Sequence, residues 1–163
     1  MPPASARDVS GQLSVVLLLQ DDSLELYEWY LNADGFKTVA TDDPAAALNA
    51  APGADLIITA IKLRGPFDGI ELIRRLRNDD RTRSKPVVVL SASVTATSRQ
   101  RAFDAGCDLF LPKPCLPDEL VARLREVLVR SKVQRLESVS FRARAVSLIH
   151  RARELLDSSR KRG

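Results

Sequence analysis

Asp55-Leu56-Ile57-Ile58-Thr59-Ala60-Ile61-Lys62-Leu63-Arg64-Gly65-Pro66-Phe67-Asp68-Gly69 decides how the rest of the chain is read. Leu56 to Ile61 is a short apolar run rich in β-branched side chains, too short for a helix, and it reads as a buried strand. Arg64-Gly65-Pro66 breaks the pattern and reads as a loop. From Asp68-Gly69 onward Ile70, Ile73, Leu76 and Arg77 recur at three- and four-residue steps, the period of a helix face. Strand, loop and crossover helix form one unit of a parallel sheet, and in open α/β sheets reactive groups gather at the carboxyl ends of the strands. The spacing places that position at residue 60, where alanine offers only a methyl group.

Working outward, Leu13 to Leu19 is a first buried strand. Gln20-Asp21-Asp22-Ser23 follows it, with Ser23 or Asp22 as cap of a helix whose face is Leu24, Tyr27, Tyr30 and Leu31. Trp29 and Tyr30 read as helix packing. Gly35 ends that helix, and Lys37 to Ala40 is a second strand. Asp43-Pro44 opens a helix that runs through Ala51, with proline in the favoured first turn. Pro86 to Ser91 is a fourth strand, Thr95 to Ala105 a helix closed by Gly106, and Leu109 to Leu111 a fifth strand. Pro117 to Val129 is a fifth helix with Leu120, Leu124, Val127 and Leu128 inward. Five alternations of strand and helix predict a doubly wound, five-stranded parallel sheet in a three-layer α/β/α sandwich.

Composition narrows the class. With 163 residues, 45% hydrophobic and 28% charged, the chain fits one domain with a core and a short extension. No apolar run approaches the ~20 residues of a membrane span, and Met1 to Gln12 lacks the layout of a signal peptide. The expected location is the cytoplasm. Met1 to Gln12 is read as a disordered lead-in. Two cysteines, Cys107 and Cys115, without metal-ligand spacing, read as buried free thiols. The lone His150 cannot build a metal cluster. No nucleophile stands with a base, and there is no glycine-rich phosphate loop, so an enzyme is not expected.

Several stretches in order resemble the receiver domain of bacterial two-component response regulators: Phe67-Asp68-Gly69-Ile70-Glu71-Leu72, Ser91-Ala92, Ala102-Phe103-Asp104-Ala105-Gly106-Cys107-Asp108 and Leu111-Pro112-Lys113-Pro114. The resemblance covers residues 13–130 and implies a flavodoxin-like fold. It implies that position 60 is the phospho-acceptor, which in typical receivers is an aspartate serving a histidine kinase. It implies that Ser91 and Lys113 contact the phosphoryl group, that Phe110 is the switch aromatic, and that Lys113-Pro114 is a cis bond. An acidic pair after the first strand holds Mg²⁺ in the family. Here Asp21 and Asp22, or Gln20 and Asp21, fill that place if about two residues are deleted, and a gapless count gives Leu18 and Leu19. At Ala60 a phosphoryl group has no oxygen to attach to. The expectation is a receiver-like signalling module acting by protein–protein contact, with no cofactor, or at most Mg²⁺ on Asp21 and Asp22. No Asp or Glu oxygen is expected beside Lys113 at the end of the middle strand. An engineered Asp-to-Ala form of a phospho-accepting receiver is the alternative reading.

Beyond Ser131 the composition changes. Nine basic residues, among them Arg142, Arg144, Arg151 and Arg153, face three acidic ones, Glu137, Glu154 and Asp157. Residues 131–163 carry most of the +4 net charge and more. Phe141, Ala145, Leu148, Ala152 and Leu155 form one apolar stripe, and Leu136, Val139, Ala143, Val146 and Ile149 another. A basic amphipathic helix from Lys132 to Ser158 is expected, packed on the receiver or on a second copy. Expected partners are a histidine kinase or a downstream effector. A homodimer is expected through that helix or through the fourth helix, fifth strand and fifth helix. A nucleic-acid-associated regulator recruited through this helix is the alternative, weakened by the scarcity of aromatic side chains for stacking.

Overall fold

The computed structural model describes residues 11–161; the lead-in, apart from Gly11 and Gln12, lies outside the described residues. The elements are β1 Ser14–Leu18, α1 Ser23–Ala33, β2 Lys37–Thr41, α2 Pro44–Ala50, β3 Leu56–Thr59, α3 Gly69–Asn78, β4 Val87–Ser91, α4 Ala96–Ala105, β5 Leu109–Pro112 and α5 Pro117–Arg160, with a short 3-10 turn Ala51–Gly53. All strands are parallel, in the order β2-β1-β3-β4-β5. This is the doubly wound arrangement expected from the alternation, flavodoxin-like as the resemblance implies, with an extra helical stretch at its end.

The period-two pleat divides each strand between two cores. Val16, Leu18, Ile57, Val87 and Val89 pack with Ile70, Ile73 and Leu76 of α3 and Ala102 of α4. Val15, Leu17, Leu56, Ile58, Val88 and Leu90 face the other way, onto Tyr27 and Leu31 of α1 and Leu120, Leu124 and Val127 of α5. Each fully buried aliphatic side chain adds about 1.5–3 kcal/mol of transfer free energy. This is why uninterrupted Val/Ile/Leu runs mark strands covered on both faces.

Helix ends follow local chemistry. Asp43, Asp68 and Thr95 each accept a backbone N–H at the first turn of α2, α3 and α4. Gly106, at φ +115°, closes α4 in the left-handed region. The start of α1 differs from expectation. Asp22 holds the N-cap position without a side-chain bond, and the Ser23 N–H is taken instead by the Asp21 carboxylate at 2.9 Å. Trp29 also differs: it is 65% exposed and meets Tyr30 edge-on at 5.2 Å rather than packing into the core.

Arg77 ties the far side of the sheet together. Its guanidinium donates to the carbonyls of Gly106, Arg83 and Lys85 and to the Asp108 carboxylate at 2.6–2.9 Å. Asp108 in turn accepts the Val87 N–H at 2.8 Å. Arg77→Met keeps the stem and removes these donors, stranding the Gly106 carbonyl after α4 and the Arg83 and Lys85 carbonyls before β4. We expect a loss of about 2 kcal/mol in urea unfolding, read as a lower midpoint at unchanged slope.

The helix read as ending at Val129 and the one read as beginning at Lys132 are a single 44-residue helix, α5. No glycine or proline interrupts the sequence between Pro117 and Arg160, so the change in composition at Ser131 carries no stop signal. The described residues nevertheless divide into two compact units, one ending at Leu128 and the other beginning at Val129. In the second, Leu136, Val139, Phe141, Val146, Leu148, Ile149 and Leu155 are all exposed.

Candidate functional site

The sheet register brings the loops at the carboxyl ends of four strands together. Leu18 stands opposite Thr59, Thr59 opposite Val89, and Ser91 opposite Pro112. Ala60 follows β3 directly, half-buried, and its N–H donates to the Leu18 carbonyl at 3.1 Å. Thr59 is fully buried, and its hydroxyl donates to the Ala60 carbonyl at 2.9 Å. A cleft of about 680 Å³ opens beside Ala60, lined by Gln20, Asp21, Ile61, Lys62, Leu63, Arg64, Asp68, Ser98 and Arg101 as well.

Lys113, only 14% exposed along its side chain, reaches into this end of the sheet. Its ammonium donates to the Asp21 carboxylate at 2.5 Å and to the Ser23 hydroxyl at 3.0 Å. A carboxylate therefore does stand beside Lys113. It comes from the loop after β1, not from the end of β3. The Ser23 hydroxyl and N–H also donate to Asp21. Partial burial pushes the Asp21 carboxyl up, but the hydrogen bonds from Lys113 and Ser23 outweigh it and hold the group below its ordinary value of 3.8. The sign follows: a depressed folded pKa adds stability above the unfolded value, lost as pH falls through the folded one. We expect the acid limb of the unfolding midpoint, below pH 3.8, to be shallower in Asp21→Asn than in the unaltered chain.

Gln20, the other residue weighed for the acidic pair, is fully occupied. Its side-chain amide donates to the carbonyls of Asp42 and Arg64 at 2.8 and 2.7 Å and accepts the Arg64 N–H at 2.5 Å. Gln20 thus staples the loops after β1, β2 and β3. Asp22 is exposed. Among the described residues no three His, Cys, Asp or Glu side chains converge as a metal site. Mg²⁺ demands near-octahedral oxygen ligation. The donor set beside Ala60 does not fit it: the Asp21 carboxylate is engaged by an ammonium, the Asp68 carboxylate accepts the Glu71 N–H, the Gln20 amide oxygen is committed to backbone, and position 60 offers a methyl group.

The remaining positions lie around the same edge. The Ser91 hydroxyl is buried and accepts the Ser93 N–H at 3.1 Å. The Lys113 N–H donates to the Ser91 carbonyl at 2.8 Å. The Lys113–Pro114 bond is cis, and the next carbonyl, of Cys115, accepts the Tyr27 hydroxyl at 2.8 Å. Phe110 is buried at 4% exposure, with the Arg99 guanidinium carbon 5.9 Å from its ring centroid. Both cysteines are free and buried. Burial, with Asp108 beside it, pushes the Cys107 thiol up to about 11.

Sequence reasoning missed the Gln20 staple and the cations Lys62, Arg64 and Arg101. Gln20 follows β1, Lys62 and Arg64 share the loop after β3, and Arg101 lies on α4, so no motif spacing connects all four.

Comparison with known proteins agrees with this architecture. The family model described as response regulator receiver domain matches residues 16–125. The phosphate regulon transcriptional regulatory protein PhoB of Escherichia coli (strain K12) is 34% identical over 128 residues, covering 76% of this chain and 56% of that protein. The response regulator MprA of Mycobacterium bovis is 31% identical over 157 residues, covering 91% and 66%. The chain thus spans little more than half the length of PhoB. Among solved structures, the receiver domain of a sensor histidine kinase from Pseudomonas aeruginosa PAO1, with a magnesium ion coordinated in its active-site cleft, superposes with a TM-score of 0.66. It is 22% identical and covers 72% of this chain and 98% of that one. No helix among the described residues is long and apolar enough to cross a membrane.

Proposed function

This chain belongs to the response regulator receiver family, and from that premise we propose that it is a phosphorylation-independent receiver that signals by protein–protein contact. The observation that carries the reading is Ala60 at the end of β3, the place the resemblance gives to the phospho-acceptor. A covalent acyl phosphate needs a carboxylate nucleophile, and a methyl group supplies none. Lys113 and Ser91, the phosphoryl-contact positions, already have partners: Lys113 holds Asp21 and Ser23, and the Ser91 hydroxyl holds the Ser93 N–H. The Asp21–Lys113 pair stands in for the interaction that a phosphoryl group makes in typical receivers. Phe110, the switch aromatic, is then fixed inward between the α3–α4 core and Arg99.

Partner concentration rather than phosphate controls such a module. The partners in this reading are a histidine kinase or a downstream effector in the cytoplasm. The surfaces for them, or for a second copy, are the α4–β5–α5 face, where Phe103 is exposed, and the apolar stripes of α5 beyond Val129. Asp21 is a poor acceptor because it is bound on both oxygens by Lys113 and Ser23.

Incubation with acetyl phosphate and Mg²⁺, followed by intact-mass measurement, tests the reading. The expected result is no added phosphoryl mass. An acid-labile phosphoryl adduct overturns it, and loss of that adduct in Asp21→Asn would identify Asp21 as the acceptor.

A further inference from the structure

Resting on that reading, we propose that the cleft beside Ala60 reversibly binds a small molecule bearing two or more phosphate charges, without transfer of the phosphoryl group. Lys62, Arg64 and Arg101 line the cleft, and among the described residues none of their charged groups has an ion-pair or hydrogen-bond partner; Arg64 is engaged only through its backbone, by Gln20. Elsewhere in residues 11–128, Arg75, Arg77, Arg81 and Arg125 each meet a carboxylate. The two acidic residues of the cleft are spent: Asp21 on Lys113 and Ser23, and Asp68 on the Glu71 N–H that begins α3. With alanine at 60 and glutamine at 20, no other carboxylate lines the cleft. Three positive charges against two committed negative ones make it a place for an anion rather than for a divalent cation.

Shape narrows the class. A volume of about 680 Å³ lies in the range of small-molecule sites and exceeds what one inorganic anion fills. Ala60, Ile61 and Leu63 offer apolar contact to an organic body, while the two guanidinium groups suit bidentate binding of phosphate oxygens. A phosphorylated metabolite with an organic moiety matches both features.

Calorimetric titration of the full chain with pyrophosphate, in low salt with a chelator present, tests the site. One-to-one binding with Kd below about 1 mM is expected, weakening as salt rises. Arg64→Gln and Arg101→Gln should each weaken it about tenfold, the loss of one charge-assisted contact, while Arg142→Gln with Arg144→Gln on α5 should leave it unchanged. Amide shifts of Gln20, Ala60 and Ser98 on titration of the unaltered chain check the location without any variant. Absence of binding, or binding that survives the cleft substitutions and is lost with the α5 pair, overturns the proposal. Pyrophosphate that fails to bind while acetyl phosphate also fails to label sinks this inference alone. Labelling by acetyl phosphate sinks the reading on which it rests.

Discussion

Gly69→Ala is expected to destabilise the protein by about 3 kcal/mol, the upper part of the range for overpacking a close contact. A Cβ built on Gly69 stands 1.9 Å from the Ala60 carbonyl oxygen and 2.9 Å from the Ala60 carbonyl carbon and the Ile61 Cα. All three are backbone atoms, so no side chain can rotate aside. The approach is close because the Gly69 N–H donates to the Ile61 carbonyl at 2.8 Å, seating the first turn of α3 on the chain leaving β3. Relief requires α3 to withdraw. Its Ile70, Ile73 and Leu76 are essentially fully buried, so withdrawal opens the core on that face of the sheet. Urea unfolding should show a reduced midpoint, and a melting temperature lowered by roughly 6–12 °C is expected for a chain of this size. A variant as stable as the parent would mean that the loop after β3 is far softer than its hydrogen bonds indicate.

The same contact shows what was legible in the sequence. Glycine after Asp68 marks the start of α3, and the Val/Ile/Leu runs with their helical crossovers are enough for the sheet and its two covered faces. These signals are local: a period of two against a period near three and a half, punctuated by Gly, Pro and capping residues. Ala60 could be placed at a strand's carboxyl end for the same reason. The partner of Lys113 could not. Asp21 lies 92 residues away, and whether it, Gln20 or Leu19 faces the cleft depends on where β1 stops, a matter of one or two residues that hydrophobicity does not fix. Gln20 looks like an unremarkable polar residue until its amide is seen holding Asp42 and Arg64. The change of charge at Ser131 suggests two helices where α5 is one, because backbone continuity depends on breakers, and none stands between Pro117 and Arg160.

Ala60→Asp is expected to remain nearly unlabelled by acetyl phosphate and Mg²⁺, even though it places a carboxylate at the end of β3. An acceptor is one part of a receiving site. The second part is a set of free oxygen ligands for the metal, and here Asp21 is bound to Lys113 and Ser23 while Gln20 holds the loops. The third is an ammonium free to meet the incoming phosphoryl oxygens, and Lys113 is engaged at 2.5 Å. Loss of a single preorganised electrostatic contact commonly slows such reactions by about 10²–10³-fold. The added carboxylate also competes for Lys113 rather than freeing it. Combining Ala60→Asp with Gln20→Asp supplies a second carboxylate and should label at least about a hundredfold faster than Ala60→Asp alone, as followed by intact mass over time. Rapid stoichiometric labelling of the single variant would show that the pocket is intact but for one side chain. The Asp21–Lys113 pair would then be a resting arrangement that phosphate displaces, and the case for a receiver rebuilt around its missing acceptor would fail.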